Sequence, residues 1–303
     1  MCRMLGYIGA PVLLDDLIVK PDSSLIRQTI DARMLAMLNL AGFGLAAWDD
    51  GMADVDLPLF YHSTQVAILD TNLRALARKL KVRSLVAHLR GVPYDGHVAV
   101  NQQSLHPFNF AGSPLVLAHN GDLAEFARMR YDLVEHIHPA IAAAIPAMSD
   151  SAWLYALVLS RLDDPQGPFT ADQIYAAIAA AIGIVRRVRD RLGIRRSSSV
   201  NLIAGDGRNL VATRFTFDFG CFETPPFQGG VSYLSQWYTM GSDYCFADGE
   251  WKMTGEGDHM ATLIASEPLT RDVSTWIEVP EYSALLVDGV GAAMRRRVVP
   301  LDG

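Results

Sequence analysis

The chemistry in this sequence starts at its second residue. Cys2 lies in Met1-Cys2-Arg3-Met4-Leu5-Gly6, and removal of the initiator methionine would leave a thiol and a free α-amino group on one residue. Thiolate is the attacking form of cysteine, and an α-amino group with a pKa of about 7.7–8.0 accepts protons near neutrality, so this is a nucleophile with its own base. Taken alone, a second-position cysteine is more often a small buried apolar group. Arg90-Gly91 is a next point of interest. An arginine at a strand end is usually solvated or paired, but its planar fork also fits a carboxylate through two parallel hydrogen bonds. In His119-Asn120-Gly121, Asn-Gly after an apolar run ordinarily makes a turn. Around a carbonyl substrate, the Asn120 amide and the Gly121 N–H would instead point at a developing oxyanion. Met148-Ser149-Asp150-Ser151 opens a helical run in which Ser149 or Asp150 serves as N-cap, and a partly buried Asp150 would also suit an ammonium group.

These residues need rigid elements behind them. Residues 3–10 are largely apolar and run into Gly9-Ala10-Pro11, which predicts a buried strand with the cysteine at its start. A cap-like Asp-Ser-Ser followed by spaced apolar residues predicts a short helix over 22–33. Glycines flank Phe43 in a strand-like run over 38–48, a pattern that lets a ligand or another backbone come close, or merely packs. Residues 72–80 read as a helix, and 84–91 and 115–118 as apolar strands. Residues 123–162 have a helical pattern broken near Pro139 and Pro146, and 168–194 form a long helix whose C-terminal arginines complement its dipole. A hairpin follows over 200–217, turning at Asp206-Gly207. Residues 218–259, rich in glycine and aromatics, read as an excursion or lid with short strands in which Tyr233, Trp237, Tyr238 and Tyr244 either shape a substrate pocket or merely pack a surface loop. Strands over 261–266, 275–279, 283–287 and 292–299 close the chain, so the order of elements predicts a layered α+β architecture in a single domain, 1–303.

Composition narrows the setting. The 303 residues are 50% hydrophobic and 19% charged with a formal charge of −7, which fits a folded, soluble domain and argues against general nucleic-acid binding. Cys2, Cys221 and Cys245 have neither a disulfide framework's even count nor a metal-site spacing. With no secretory signal and no apolar run of membrane-spanning length, the expectation is a cytoplasmic protein without membrane contact.

Taken together, the Cys2 segment, Gly42-Phe43-Gly44, Arg90-Gly91, His106-Pro107-Phe108, His119-Asn120-Gly121, Ser149-Asp150-Ser151 and Ser266-Glu267-Pro268-Leu269 resemble, in order and over nearly the whole chain, the class II glutamine amidotransferases. Within that class the chain is most similar to the stand-alone members and the γ-glutamyl hydrolase of ergothioneine biosynthesis. The resemblance implies an N-terminal-nucleophile fold, a four-layer αββα sandwich with two antiparallel sheets. It also implies roles: Cys2 attacks the γ-carbonyl, Asn120 and Gly121 hold the oxyanion, Arg90 takes the α-carboxylate, Asp150 takes the α-ammonium, and His119 belongs to the substrate pocket. Trp237, in the aromatic segment, is expected to contact the leaving group.

The implied reaction passes through a γ-glutamyl thioester, releases glutamate and needs no metal or organic cofactor. Its expected substrate is a small γ-glutamyl amide or a γ-glutamyl conjugate of a thiol-histidine. The alternatives are a glutaminase subunit passing ammonia to a separate synthase chain, and a non-catalytic glutamate-binding regulatory subunit. An N-terminal hydrolase of other acyl amides would not require Arg90. Ala41 and Leu105 depart from an acidic residue and a threonine common in relatives, which bears on the substrate rather than the nucleophile.

Overall fold

Alternation along the first strand, β1 (Arg3–Leu13), divides the molecule's interior. Met4 and Ile8 point into one apolar cluster, and Leu5 and Tyr7 into another, as successive side chains of a strand must. The computed structural model describes residues 2–34, 38–52, 54–92, 100–221, 234–255, 260–289 and 294–302. After β1 come α1 (Leu14–Ile18), β2 (Phe43–Trp48), β3 (Leu59–Ser63), α2 (Thr71–Ala77), β4 (Lys81–Leu89), β5 (Val116–Gly121), α3 (Phe126–Val134), α4 (Pro139–Ala143), α5 (Asp150–Leu159) and α6 (Ala171–Leu192). The chain continues through β6 (Ser198–Gly205), β7 (Asn209–Arg214), β8 (Thr216–Phe217), β9 (Trp237–Gly241), β10 (Asp243–Ala247), β11 (Glu250–Thr254), β12 (Ala261–Ala265), β13 (Ile277–Glu278), β14 (Ser283–Asp288) and β15 (Arg295–Pro300).

One sheet has the order β13-β9-β12-β1-β4-β2-β3, and the other β15-β14-β7-β6-β5, with β8 also pairing β6. All these pairings are antiparallel. Met4, Ile8, Ala46 and Val86 of the first sheet meet Val116, Ala118, Ile203 and Leu285 of the second in a shared core. The first sheet's outer face, through Leu5, Phe43, Leu45 and Leu85, is covered by Leu14 and Leu17 of α1 and Leu73 of α2. The second sheet's outer face, through Leu117, Leu202 and Val211, is covered by α3, α5 and α6. This is the αββα sandwich with two antiparallel sheets. Helix α6 is bounded by a capping box between Thr170 and Gln173 and by Gly193 in the left-handed conformation, the start and stop signals that residues 168–194 carry.

Several boundaries differ from the sequence reading. Strand β1 runs on through Pro11 to Leu13, with a register shift between Ile8 and Val12; an irregularity accommodates a proline that has no N–H for the ladder. Residues 22–33 hold only one 3-10 turn, Arg27–Thr29, because their polar groups serve distant partners. The Ser23 hydroxyl and the Arg33 N–H donate to Glu267, and Asn39 Nδ2 donates to the Gln28 carbonyl. The segment read as an excursion contributes a strand, β9, between β12 and β13, followed by the separate β10–β11 hairpin. Tyr233 lies outside the described residues. No helix among the described residues is long and apolar enough to cross a membrane.

Candidate active site

Strand ends bring the site together. Arg3 pairs with Leu89, so Cys2 and Arg90 extend adjacent strands from the same level. By the alternation of β1 and β4, they continue the faces of Met4 and Val86, which look into the gap between the sheets. The half-buried Cys2 thiol lies 3.6 Å from the Gly91 carbonyl oxygen and donates to it. Arg90 is fixed through its backbone: its N–H donates to the Gly42 carbonyl at 2.9 Å, and its carbonyl accepts the Ala41 N–H at 3.0 Å.

The glycines opposite are required by what passes over them. Gly42 has φ +104°, and a Cβ there would lie 2.7 Å from the Ser63 carbonyl oxygen. At Gly44 a Cβ would overlap the His106 carbonyl. The Gly-Phe-Gly run thus marks a close approach, made at Gly42 by the backbone after β3 and at Gly44 by that of the His-Pro-Phe segment. Burial pulls the Arg90 guanidinium's pKa down from its usual value, while the neighbouring Cys2 and Asp150 push it back up.

The second sheet supplies Asn120 and Gly121 at the end of β5, opposite Asn201 and Val200 of β6. Gly121 has φ +153°, and a Cβ would overlap the Ser199 carbonyl, so only glycine turns the chain here. Asn120 is buried, and its Oδ1 has no hydrogen-bond partner among the described residues. Asp150, on the first turn of α5, follows Ser149, whose hydroxyl accepts the Ala152 N–H and so caps the helix. The Asp150 carboxylate accepts the Leu123 N–H at 2.7 Å and the Ser151 N–H at 2.7 Å, which ties α5 to the loop after β5.

His119 is a brace within this arrangement. Its Nε2 lies 3.1 Å from the Ser199 carbonyl, which can only accept, so Nε2 carries a proton, and Nδ1 lies 2.8 Å from the Ser151 hydroxyl, which also reaches the Asp150 carboxylate at 3.1 Å. Both ring nitrogens are thereby committed to protein partners.

The structure brings Cys2, Arg90, Asn120, Gly121 and Asp150 to one end of the sandwich, with His119 behind them. It does not bring Trp237 there. Trp237 pairs with Ala265 in β9 and packs on the first sheet's outer-face cluster, while Tyr238 and Met240 turn toward the gap between the sheets. A strand's parity decides which neighbour faces the gap, and the aromatic composition of the segment carried no information about it.

Groups that the sequence reading did not single out complete the site. Asp122 follows Gly121 directly and is exposed at the surface, and partial desolvation by the protein around it, together with the nearby Asp150 charge, raises its pKa above the usual carboxylate value. Its signal was an acid immediately after Asn-Gly. His106 Nδ1 accepts the His119 N–H at 3.4 Å and lies 3.0 Å from His88 Nε2, so His88 Nε2–H is the donor. Burial first, and neighbouring cationic groups second, hold both imidazoles well below the ordinary histidine pKa, so both rings are neutral near pH 7. This pair links the strand of Arg90 to the strand of Asn120. Behind Cys2, the buried Arg3 donates to the Cys2 carbonyl at 3.1 Å and faces the Glu267 carboxylate at 3.8 Å. No group of three or more His, Cys, Asp or Glu able to hold a metal occurs among the described residues.

Comparison with known proteins gives this geometry a context. A family model of class-II glutamine amidotransferases matches residues 27–297. The probable glutamine amidotransferase DUG3 of Saccharomyces cerevisiae is 27% identical over 307 residues, covering 95% of this chain and 82% of its own length. The γ-glutamyl-hercynylcysteine sulfoxide hydrolase of Mycolicibacterium smegmatis is 26% identical over 219 residues, covering 70% of this chain and 78% of its own. Among solved structures, a glutamine aminotransferase class-II domain protein from Silicibacter pomeroyi shares the fold over the full length of both chains, with a TM-score of 0.61 and 19% identity. The glutamine phosphoribosylpyrophosphate amidotransferase of Bacillus subtilis shares it with a TM-score of 0.57 and 15% identity, over 99% of this chain and 49% of that one. The chain belongs to the class-II glutamine amidotransferases and is an amidohydrolase of that class.

Proposed function

We propose that this protein hydrolyses the amide of a small γ-glutamyl compound through a γ-glutamyl thioester on Cys2, once Met1 is removed. The observation that carries the reading is the convergence at one end of the sandwich of a thiol (Cys2), a cation (Arg90), an anion (Asp150) and an Asn-Gly pair. A glutamyl head is a zwitterion, and fixed opposite charges hold it better than mobile surface groups do. Arg90 takes the α-carboxylate, and Asp150 takes the α-ammonium. Asp122 adds a second carboxylate there, and the Asp150 charge that helps raise the Asp122 pKa is offset when a cation sits between the two.

In the reaction, the Cys2 amine accepts the thiol proton and Sγ attacks the γ-carbonyl. The resulting oxyanion receives the Asn120 amide N–H and the Gly121 N–H. The C–N bond then breaks, and the leaving amine takes the proton from the Cys2 ammonium. Water, deprotonated by the same amine, attacks the thioester, and Cys2 Sγ leaves as glutamate is released. Every step uses side chains or backbone of this chain, without a metal or organic cofactor. The leaving group is a small amine, in keeping with the γ-glutamyl hydrolase among the relatives. Delivery of ammonia to a separate synthase chain is the other course open to the same intermediate.

The test is glutamate release from L-glutamine and a panel of γ-glutamyl amides by protein whose N-terminus is Cys2, with Cys2→Ala as control. Release that Cys2→Ala abolishes is the expected outcome. Full activity in protein that retains Met1, or in Cys2→Ala, would overturn the mechanism. Activity on glutamine alone would favour the ammonia-supplying course.

A further inference from the structure

The carboxylate of Glu267 lies at the far end of the chain from Cys2, yet it belongs to the same buried network. Glu267 and Arg3 are 1% and 3% exposed. The carboxylate accepts the Ser23 hydroxyl at 3.1 Å and the N–H groups of Arg33 and Met34 at 3.0 Å each. Arg3 faces it at 3.8 Å, beyond hydrogen-bond reach, and donates instead to the carbonyl of Cys2, the residue that carries both the α-nitrogen and Sγ. Arg3, Glu267 and Asn120 also line one small pocket, with room for about one water molecule. The ion pair is therefore loose on the Glu267 side, where other donors occupy the oxygens, and tight on the Cys2 side.

We propose that Arg3, restrained by Glu267, is a positioning residue for the nucleophile: it pins the Cys2 backbone and supplies a positive field that favours the Cys2 thiolate. The inference rests on the Cys2 mechanism proposed above. A cation favours a thiolate beside it, and the thiolate is the attacking form of Cys2. Arg90 at the end of β4 also lies beside Cys2, with Asp150 of α5 next to Arg90 and Asp122 of the loop after β5 next to Asp150. Bound substrate satisfies Arg90 with its carboxylate and the two aspartates with its ammonium. Arg3 is the cation whose field does not depend on substrate.

The experiment is the pH dependence of Cys2 alkylation by iodoacetamide, in which the S–C bond forms as iodide leaves, on protein whose N-terminus is Cys2. Arg3→Met is expected to move the midpoint up by about one pH unit, making alkylation about tenfold slower on the acid side. Arg3→Lys keeps the charge and is expected to keep the wild-type midpoint. Glu267→Gln removes one negative charge beside Arg3 and is expected to move the midpoint down, opposite to Arg3→Met, with Arg3→Met/Glu267→Gln between them. A merely structural role would shift no midpoint, or would shift both single variants alike; either result overturns the proposal. Should Arg3→Met fail to fold, an unchanged or raised midpoint in Glu267→Gln overturns it. Iodoacetamide requires no glutamyl substrate. A protein that alkylates as expected but releases no glutamate therefore refutes the proposed reaction, whereas glutamate release with midpoints indifferent to Arg3 refutes only this inference.

Discussion

Gly121→Ala tests the proposed oxyanion role of the Asn120-Gly121 turn against its role as a turn. Gly121 has φ +153°, and its Cβ would overlap the Ser199 carbonyl while lying 2.9 Å from His119 Nε2. That carbonyl accepts both the His119 ring N–H and the Asp122 N–H, so it cannot yield without loosening the brace behind the site. Backbone strain of about 1–3 kcal/mol and a forced shift of similar cost predict a loss of about 2–5 kcal/mol in stability. The catalytic effect is separate. A displacement on the order of 1 Å costs roughly 10²-fold, and losing an oxyanion donor costs about 10²–10³-fold; the two describe one event and do not add. Expected, then, is a fall of about 10²–10³ in kcat for glutamate release with a smaller change in KM, alongside a lower urea midpoint. Gly193→Ala is the control: Gly193 has φ +67° at the end of α6 with nothing within 4 Å of an added Cβ, so it should lose about 1 kcal/mol and keep kcat. A Gly121→Ala enzyme within threefold of wild-type kcat would show that the Gly121 N–H does not stabilise the intermediate.

Arg90→Met should raise KM for γ-glutamyl substrates by about 10²-fold or more through the lost charge-assisted pair, with Arg90→Lys intermediate; steady-state kinetics decide, and an unchanged KM would favour an acyl-amide hydrolase that reads no α-carboxylate. His88 and His106 are held below the unfolded histidine value, so the stability linked to their neutral forms is complete above about pH 6.5 and is lost as pH falls from there, at roughly 3 kcal/mol per unit for the pair. Urea unfolding at pH 7, 6 and 5 should show this slope, reduced by roughly 1 kcal/mol per unit in His106→Gln. Trp237→Phe should lower stability and leave discrimination among γ-glutamyl amides unchanged, because Trp237 packs on the outer-face cluster; a changed preference in a substrate panel would place it at the site after all.

What the sequence disclosed about this molecule depended on how local each cause is. Gly42 and Gly44 were readable as a place of close approach because the absence of a side chain is a property of the residue itself, and the His106 carbonyl does pass where a Cβ at Gly44 would lie. Helix α6 was readable because Thr170, Gln173 and Gly193 cap it from within a few residues. Residues 22–33 carry equally good helix signals, but Glu267, far along the chain, draws on the donors of Ser23, Arg33 and Met34, and tertiary hydrogen bonds outweigh a weak local propensity. The same distance hid the Arg3–Glu267 pair. Trp237 failed for a different reason: composition marked the segment as aromatic, and only the register Trp237↔Ala265 fixes which residue faces the gap.

The grouping of residues also implies that the site depends on the spacing between the sheets. Cys2 and Arg90 extend strands of one sheet, and Asn120 and Gly121 end a strand of the other, so a bound γ-carbonyl touches both, and a change in their separation alters attack and oxyanion contact together. Gly6, on β1, sets that separation locally: an added Cβ would lie 3.2 Å from Ile203 Cγ2 on β6, so Ile203 or the sheets must give by a few tenths of an ångström. Gly6→Ala touches no proposed catalytic group, yet it should lower kcat about three- to tenfold, since even small misplacements of reacting groups are felt in rate, while changing stability by no more than about 1–3 kcal/mol. Gly183→Ala in α6, where the nearest atom is a flexible arginine terminus at 3.6 Å, should gain about 1 kcal/mol from helix propensity and leave kcat unchanged. If Gly6→Ala turns over at the wild-type rate in the same assay, the sheets do not transmit their spacing to the site, and the catalytic geometry must be fixed by the strand ends and their loops alone.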